Sequence, residues 1–219
     1  SNTPKQILLQ KTLEFPEPFY AHLPLILSPD RSKLSKRYLE TSVSDYRKEG
    51  YLPEALINYL ALLGWHPEED REVLNWEELI KEFSLKRIQK GGAIFNLEKL
   101  DWLNSQYLMR SEPEELIDRL TGFVPQEWLE KREFLIKIAG IEKERVKKLT
   151  DFPKLVGFFF ELPEYPAKLL IWDKTSKEDT LDNLQSVFPL VKDFTRVNDK
   201  IMALAETRGR GEVLWPLRV

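Results

Sequence analysis

The sequence contains no cysteine and only two histidines, which narrows the chemistry that it can carry. Without cysteine there is no disulfide framework, no thiolate zinc site and no cysteine nucleophile. His22 and His66 lie far apart in the sequence, so a histidine cluster that binds metal or performs catalysis is not expected either. Any reaction must therefore rest on other side chains, such as lysines, arginines and carboxylates.

Long apolar stretches are also lacking. None approaches the roughly 20 residues that a membrane-spanning helix needs, and no signal peptide is recognised. Ser1-Asn2 reads as a cleavage scar and is left out of the fold prediction. We therefore expect a cytoplasmic protein that is a monomer and has neither a membrane nor a DNA partner.

Charges of the two signs nearly balance. The 219 residues include 33 Lys and Arg against 36 Asp and Glu, which gives a net charge of −3. This length predicts one large domain or two smaller ones. A hydrophobic fraction of 42% is sufficient for a core. The weak net acidity disfavours a protein that coats DNA, but it does not exclude a local basic surface for nucleic acid.

Helix signals dominate the chain. Pro53 opens a run of apolar residues at helical spacing, and Asn75 with Glu78 forms a predicted capping box. Residues 22–27 and 93–95 are the two strand candidates. We predict a mainly α protein, with a small α+β fold over residues 20–110 and an all-α helical bundle over residues 111–219. The predicted helices of the bundle are 113–120, 125–139, 142–149, 153–160, 167–172, 177–188 and 192–206.

The densest basic run is residues 31–37, RSKLSKR, which carries four positive charges in seven residues. Lysine ammonium groups on a mobile loop can neutralise the charge that develops on a triphosphate during attack at its α-phosphorus. A serine hydroxyl can donate a hydrogen bond to a phosphate oxygen. A basic run this short is also typical of a solvated surface turn, so the residues alone leave both interpretations open.

A longer stretch around this run resembles a known family. Residues 20–37, YAHLPLILSPDRSKLSKR, resemble the second signature loop, the KMSKS region, of class I aminoacyl-tRNA synthetases. Residues 41–65, TSVSDYRKEGYLPEALINYLALLGW, are similar to the segment that follows this loop in bacterial-type glutamyl-tRNA synthetases. The resemblance continues through residues 85–110, weakens, and returns at residues 214–219, LWPLRV.

The resemblance implies ATP and Mg²⁺ as cofactors of the full-length enzyme, and it implies ATP-binding roles for individual residues, while no residue is predicted to bind metal. Lys36 and Lys33 would be catalytic and contact the ATP phosphates, while Ser35 and Arg37 support the loop. Leu25 and Ile26 would present backbone groups to the adenine. In this family the substrates beside ATP are glutamate and tRNA-Glu. Residues 1–19 would be the tail of a catalytic domain, residues 20–110 a stem-contact fold that braces the tRNA, and residues 111–219 an anticodon-binding part.

Three departures from the family pattern limit this expectation. Tyr38-Leu39-Glu40 follows the basic run where the family continues with His-Gly, and Arg31 stands where glycine is common. Both differences put ordinary closure of the loop in doubt, because glycine provides a hinge. The His-Ile-Gly-His type signature, which helps to bind ATP in these enzymes, is absent from the sequence. We therefore expect this chain alone to be inactive, and the alternative is a non-catalytic helical RNA-binding or interaction module on the same scaffold.

Two further sets of residues have competing interpretations. Basic residues beyond the loop are either exposed helix faces or contacts to tRNA; the candidates for tRNA are Arg145, Lys147, Lys148, Arg208 and Arg210. The tryptophans are either base-stacking residues or core, and their helical positions favour core packing for most of them. They are Trp65, Trp76, Trp102, Trp128, Trp172 and Trp215.

Overall fold

A computed structural model of the chain describes residues 2–23, 25–34, 42–173, 175–191 and 197–218. The chain forms two compact units, residues 1–160 and residues 161–219. The boundaries predicted after residues 19 and 110 separate parts with different expected roles, and these boundaries stay predictions. Within the described residues, no helix is long and apolar enough to cross a membrane.

The first unit is mainly helical, as predicted, with one pair of short strands in its described part. Short 3-10 helices cover Leu85–Arg87, Lys143–Arg145, Leu149–Asp151 and Gly157–Phe159. The α-helices and strands are α1 Thr3–Thr12, β1 Ile26–Leu27, α2 Val43–Lys48, α3 Pro53–Leu62, α4 Trp76–Glu82, β2 Ala93–Ile94, α5 Leu97–Arg110, α6 Pro113–Arg119, α7 Gln126–Glu130, α8 Arg132–Glu142 and α9 Phe152–Val156.

Local signals explain where several of these elements begin. Pro53 lies in the first turn of α3, where its missing N–H group costs nothing. The predicted capping box of α4 is present, because the Asn75 side chain accepts from the Glu78 N–H and the Glu78 carboxylate accepts from the Asn75 N–H. Strands β1 and β2 pair in parallel, with Ile26 opposite Ala93. These contacts confirm the predicted starts of α3 and α4. The two strand candidates are confirmed only in part: of residues 22–27 the described strand is Ile26–Leu27, and of residues 93–95 it is Ala93–Ile94.

Two apolar clusters form the main core of the first unit, and α5 contributes to both. Leu100 and Leu103 pack in a cluster with Tyr59 and Phe95. Leu108 packs in the other cluster, which contains the fully buried Phe152 and the residues of α6 and α8. The strand pair and the helices that follow are therefore fixed on a common scaffold of buried side chains.

Two predictions about the first unit are wrong. The helix predicted over residues 125–139 is broken into α7 and α8, because the backbone at Lys131 leaves the helical region (φ −90°, ψ 45°). The helix predicted over residues 142–149 is absent: a 3-10 turn is followed by extended backbone at Lys148 and a second 3-10 turn. Burial of Val146 and Leu149 favours this broken path over a helix.

The expectation for the tryptophans is also wrong. Trp65 and Trp128 are buried, but the other four keep 38–54% of their surface exposed. Helical spacing predicted that these positions face a core, whereas the buried clusters formed by the described residues do not contain these four tryptophans.

The second unit has three α-helices in its described part. They are α10 Lys177–Val191, α11 Val197–Arg208 and α12 Arg210–Leu214, preceded by a 3-10 helix at Ala167–Leu170. Gly209 has φ +107° and forms the sharp turn between α11 and α12. The buried apolar cluster contains only Val187, Ala205 and Val213 among the described residues. Residues 192–196, the start of the helix predicted over 192–206, lie outside the described residues.

Candidate functional site

The basic run begins on a tight turn at the end of β1. Ser28 N–H donates to the Ser32 carbonyl at 2.8 Å, and Arg31 N–H donates to the Ser28 carbonyl at 2.8 Å. The backbone of Arg31 lies in the left-handed region, with φ 63°. This region favours glycine, and glycine is common at this sequence position in the family that the chain resembles. This turn reverses the chain so that Lys33 pairs with Leu27 in an isolated antiparallel bridge.

Asp30 stabilises this turn from within. One of its carboxylate oxygens accepts from the Ser32 N–H at 2.9 Å and from the Ser32 hydroxyl at 2.7 Å. The hydroxyl bond, followed by the backbone bond, lowers the pKa of Asp30 below its usual value. The carboxylate is therefore ionised at neutral pH and engaged with the turn rather than directed at a ligand.

The predicted ATP-binding residues fall partly within the described chain. Lys33 is exposed and directly follows the turn. The carbonyl of Leu25 accepts from Ala93 N–H at 3.1 Å, and that of Ile26 accepts from Leu34 N–H at 3.2 Å. Both carbonyls are thus already used by the fold, although an oxygen can accept a second bond. Ser35, Lys36 and Arg37 lie outside the described residues, so their predicted roles stay predictions.

The basic residues 143–148 lie on the irregular segment between α8 and α9. Lys143 donates to the carbonyl of Ser111 at 3.1 Å. Lys148 forms an ion pair with Glu49 at 3.2 Å, and its ammonium group lies 5.5 Å from the centre of the Tyr51 ring. These two lysines therefore anchor the segment to other parts of the first unit.

Arg145 and Lys147 differ from these anchors because they face solvent. The Arg145 side chain is 69% exposed and makes a 3.1 Å ion pair with Glu142. Lys147 is exposed and makes no ion pair with another residue that the structure describes. Of the predicted tRNA-binding residues in this segment, Arg145 and Lys147 are thus the more accessible cations, while Lys148 has a structural partner.

A buried asparagine fixes the backbone of this segment and was not predicted. Asn104 accepts from the Leu52 N–H at 2.8 Å and donates to the Lys147 carbonyl at 2.6 Å. It therefore ties α5 to the start of α3 and to the basic segment. The available signal is its polar amide on the face of α5 that otherwise carries Leu100, Leu103 and Leu108.

The second unit holds the remaining two basic candidates. Arg208 pairs with Asp182 at 2.5 Å and with the Asn183 side-chain oxygen at 3.2 Å. Arg210 is more accessible, with its side chain 68% exposed and a 3.6 Å ion pair to Glu206. Arg208 thus holds α11 to α10, whereas Arg210 can reach a ligand in solution.

Acidic residues are numerous, but in the described ranges no three His, Cys, Asp or Glu side chains are grouped closely enough to hold a metal ion. Several acidic side chains of residues 68–82 are paired with arginine instead: Arg71 pairs with Glu69 at 3.1 Å and Glu78 at 3.0 Å, and also contacts Glu82. These contacts fit a solvated, charge-paired surface.

Comparison with known families gives two matches in sequence order. Residues 1–102 match the model described as tRNA synthetases class I (E and Q), catalytic domain. Residues 114–219 match the model described as an anticodon binding domain.

Individual relatives agree with these matches. The chain is 37% identical to the glutamate–tRNA ligase of Moorella thermoacetica, over 100% of this chain and 48% of the relative. It is 44% identical to glutamate–tRNA ligase 1 of Fervidobacterium nodosum over 77% of this chain and 36% of the relative. A solved glutamate tRNA ligase from Elizabethkingia meningosepticum, in complex with its amino acid, superposes with a TM-score of 0.77 at 31% identity, covering 99% of this chain and 49% of that structure. The chain spans between about a third and a half of the length of the curated relatives that it matches first.

Proposed function

This chain belongs to the class I tRNA synthetases of the glutamate and glutamine type, and we propose that it acts in glutamate–tRNA ligation. In that reaction the glutamate carboxylate attacks the α-phosphorus of ATP, pyrophosphate leaves, and glutamyl adenylate forms. A hydroxyl at the tRNA 3′ end then attacks the activated carbonyl and releases AMP. The chain would supply the basic loop that contacts ATP and the surfaces that bind tRNA-Glu.

The observation that carries the nucleotide role is the hydrogen-bonded turn that precedes Lys33. Asp30 and Ser32 hold the turn at the end of β1, so the chain leaves it in a defined direction. Lys33 is exposed there, and Lys36 follows three residues later. Two ammonium groups next to a triphosphate lower the cost of the negative charge that develops during attack.

Magnesium ions would reach this reaction bound to ATP rather than through ligands of this chain. The carboxylate nearest to the basic run, Asp30, is already engaged by Ser32, and the described residues present no metal-binding group. The described part of the chain would thus contribute positive charge and hydrogen bonds toward the phosphates.

The tRNA surface would include Arg145 and Lys147. Their segment is anchored by Asn104, Lys143 and Lys148, so the outward side chains start from a fixed backbone. Contacts between cations and phosphates position a nucleic acid and make its binding depend strongly on salt.

The nucleotide role is tested in a chimera. The aligned segment of the Moorella thermoacetica ligase is replaced by this chain, and glutamate-dependent exchange of pyrophosphate into ATP is measured with tRNA-Glu present. Lys36→Ala and Lys33→Ala are expected to slow the exchange far more than they weaken tRNA binding. Lys81→Ala, which removes an exposed lysine of α4, is the matched control. Exchange that is unchanged in Lys36→Ala would overturn the proposed role.

The tRNA role is tested with the chain itself. Binding of tRNA-Glu and of an unrelated tRNA is measured at several salt concentrations. We expect tighter binding of tRNA-Glu, and a smaller dependence on salt in the Arg145→Ala, Lys147→Ala double variant because two phosphate contacts are lost. Equal weak affinity for both tRNAs would contradict anticodon recognition and favour a general RNA-binding module.

A further inference from the structure

Two tryptophans of the second unit lie against each other at its surface. The ring centres of Trp172 and Trp215 are 5.1 Å apart, and the ring planes are tilted by 51°. Trp172 is 39% exposed and Trp215 is 38% exposed. The buried cluster of this unit consists of other residues. The pair is therefore not part of the core, and it presents aromatic surface to solvent.

Both rings are held in defined positions. The indole N–H of Trp215 donates to the Leu169 carbonyl at 2.8 Å. Trp172 lies against Gly211, where a Cβ atom would come within 2.3 Å of the indole nitrogen. Glycine at this position thus makes room for the ring. Rings that are already ordered lose little conformational freedom when a ligand stacks on them, which favours binding.

Two exposed arginines lie close to the pair in the sequence. Arg210 adjoins Gly211, and its side chain is 68% exposed. Arg218 is exposed, and its backbone N–H donates to the Trp215 carbonyl at 2.9 Å. Exposed aromatic rings next to cations are the combination that binds single-stranded nucleic acid, because bases stack on the rings and phosphates contact the cations.

We propose that Trp172 and Trp215 form a stacking platform for an unpaired base of the tRNA anticodon loop, with Arg210 and Arg218 contacting the neighbouring phosphates. The inference rests on the tRNA-binding function proposed above. A loop base is favoured over a duplex because paired bases stay stacked on one another, whereas a loop can turn a base outward onto an aromatic ring. The match of residues 114–219 to an anticodon binding domain agrees with this partner.

Fluorine NMR tests the platform directly. The full chain is labelled with 5-fluorotryptophan, and each signal is assigned from single Trp→Phe variants. On addition of the synthetic anticodon stem-loop of tRNA-Glu, we expect the signals of Trp172 and Trp215 to shift. The Trp76 signal is the internal control: this residue is 54% exposed, but it lies on α4, outside the residues that match the anticodon binding domain.

Affinity measurements give a second readout. Trp172→Leu and Trp215→Leu are each expected to weaken stem-loop binding by about 5- to 150-fold, the range for loss of one stacked base. Trp172→Tyr retains an aromatic face and is expected to lose less. Gly211→Ala displaces the Trp172 ring and should weaken binding as well. Trp76→Leu should bind like the unchanged chain, and circular dichroism confirms that each variant is folded.

The outcomes separate this inference from the function on which it rests. If the unchanged chain binds the stem-loop while both platform signals stay in place and both leucine variants bind equally well, the platform is wrong and the tRNA function stands. If the unchanged chain binds neither tRNA-Glu nor the stem-loop, both proposals fail. The signals of the unchanged chain decide the question even where a leucine variant does not fold.

Discussion

Residues 1–160 and residues 161–219 are stabilised in different ways. The first unit buries large side chains completely, including Phe152, Leu135 and Ile117. Among the described residues of the second unit, the buried apolar ones are Val187, Ala205 and Val213, all of them smaller than these. Burial stabilises a fold roughly in proportion to the apolar area removed from water, so the second unit gains much less from its core.

Polar contacts add stability to the second unit and so offset part of the difference in apolar burial. Arg208 joins α11 to α10 through Asp182 and Asn183, and the Asn183 amide donates to the Glu212 carbonyl at 3.4 Å. Such exposed contacts contribute less each than a buried aromatic ring. The comparison teaches that a basic residue in the second unit can have a structural task, and of the two predicted tRNA-binding arginines, Arg208 and Arg210, it is Arg210 that is accessible.

The largest effect is expected from Phe152→Ala in the first unit. Removing a fully buried ring leaves a cavity and should lower the free energy of unfolding by about 3–5 kcal/mol. Urea denaturation monitored by hydrogen exchange measures the loss of stability separately for each unit. Phe158→Ala is the matched control, since that ring is 52% exposed and its removal should cost far less. Equal losses in the two variants would break the description of the first unit as core-dependent.

A second prediction concerns how closely the first unit is packed. Gly50 and Gly122 share φ +87°, but a Cβ atom on Gly50 would lie 2.7 Å from the Leu149 nitrogen, whereas one on Gly122 would meet nothing within 4 Å. Gly122→Ala should cost about 1 kcal/mol from the left-handed backbone alone. Gly50→Ala adds the clash and should cost roughly 3 kcal/mol. Thermal unfolding of both variants measures the difference, and similar values would show that the contact with Leu149 relaxes easily.

The elements that could be predicted from the sequence are those specified by neighbouring residues. Pro53 and the Asn75–Glu78 pair act within one helical turn, so the residues at which α3 and α4 begin were predicted correctly. The irregular segment at residues 143–151 was not, because it depends on partners far away in the chain. Asn104 holds the Lys147 carbonyl across 43 residues, and the Gly50 carbonyl accepts from the Leu149 N–H at 3.1 Å.

In the candidate site, too, only local features could be predicted from the sequence. The basic run and its resemblance to a nucleotide loop were recognised because their residues are consecutive. Most of the six tryptophans were predicted to lie in the core, since periodicity reports which residues share a helix face but not whether another element covers that face. Trp172 and Trp215 are brought together by a glycine and a carbonyl from other parts of the second unit, which no local pattern predicts.

In the second unit, Val187→Ala is expected to have a moderate effect. Val187 is 2% exposed, and removing two carbon atoms should cost about 1.6 kcal/mol. Val191, one helical turn later in α10, is 41% exposed and provides the matched control. Hydrogen exchange should show the loss in residues 175–218 and leave α5 and α8 protected as before. Loss of protection in both units would contradict the separate stabilisation of the two.

The smallest effect, and the one that distinguishes the two units most directly, is expected from Arg208→Ala. Its side chain is 38% exposed, so its ion pair with Asp182 is screened by solvent and should contribute about 0.2–1 kcal/mol. Because the pair is electrostatic, the difference in stability between the unchanged chain and the variant should shrink as the salt concentration is raised.

The loss of stability caused by Phe152→Ala should stay constant over the same range of salt concentration, since it arises from apolar packing. Hydrogen exchange of α10 and α11 at low and high salt measures the effect, and a loss that is independent of salt would mean that Arg208 stabilises the second unit by packing instead of charge.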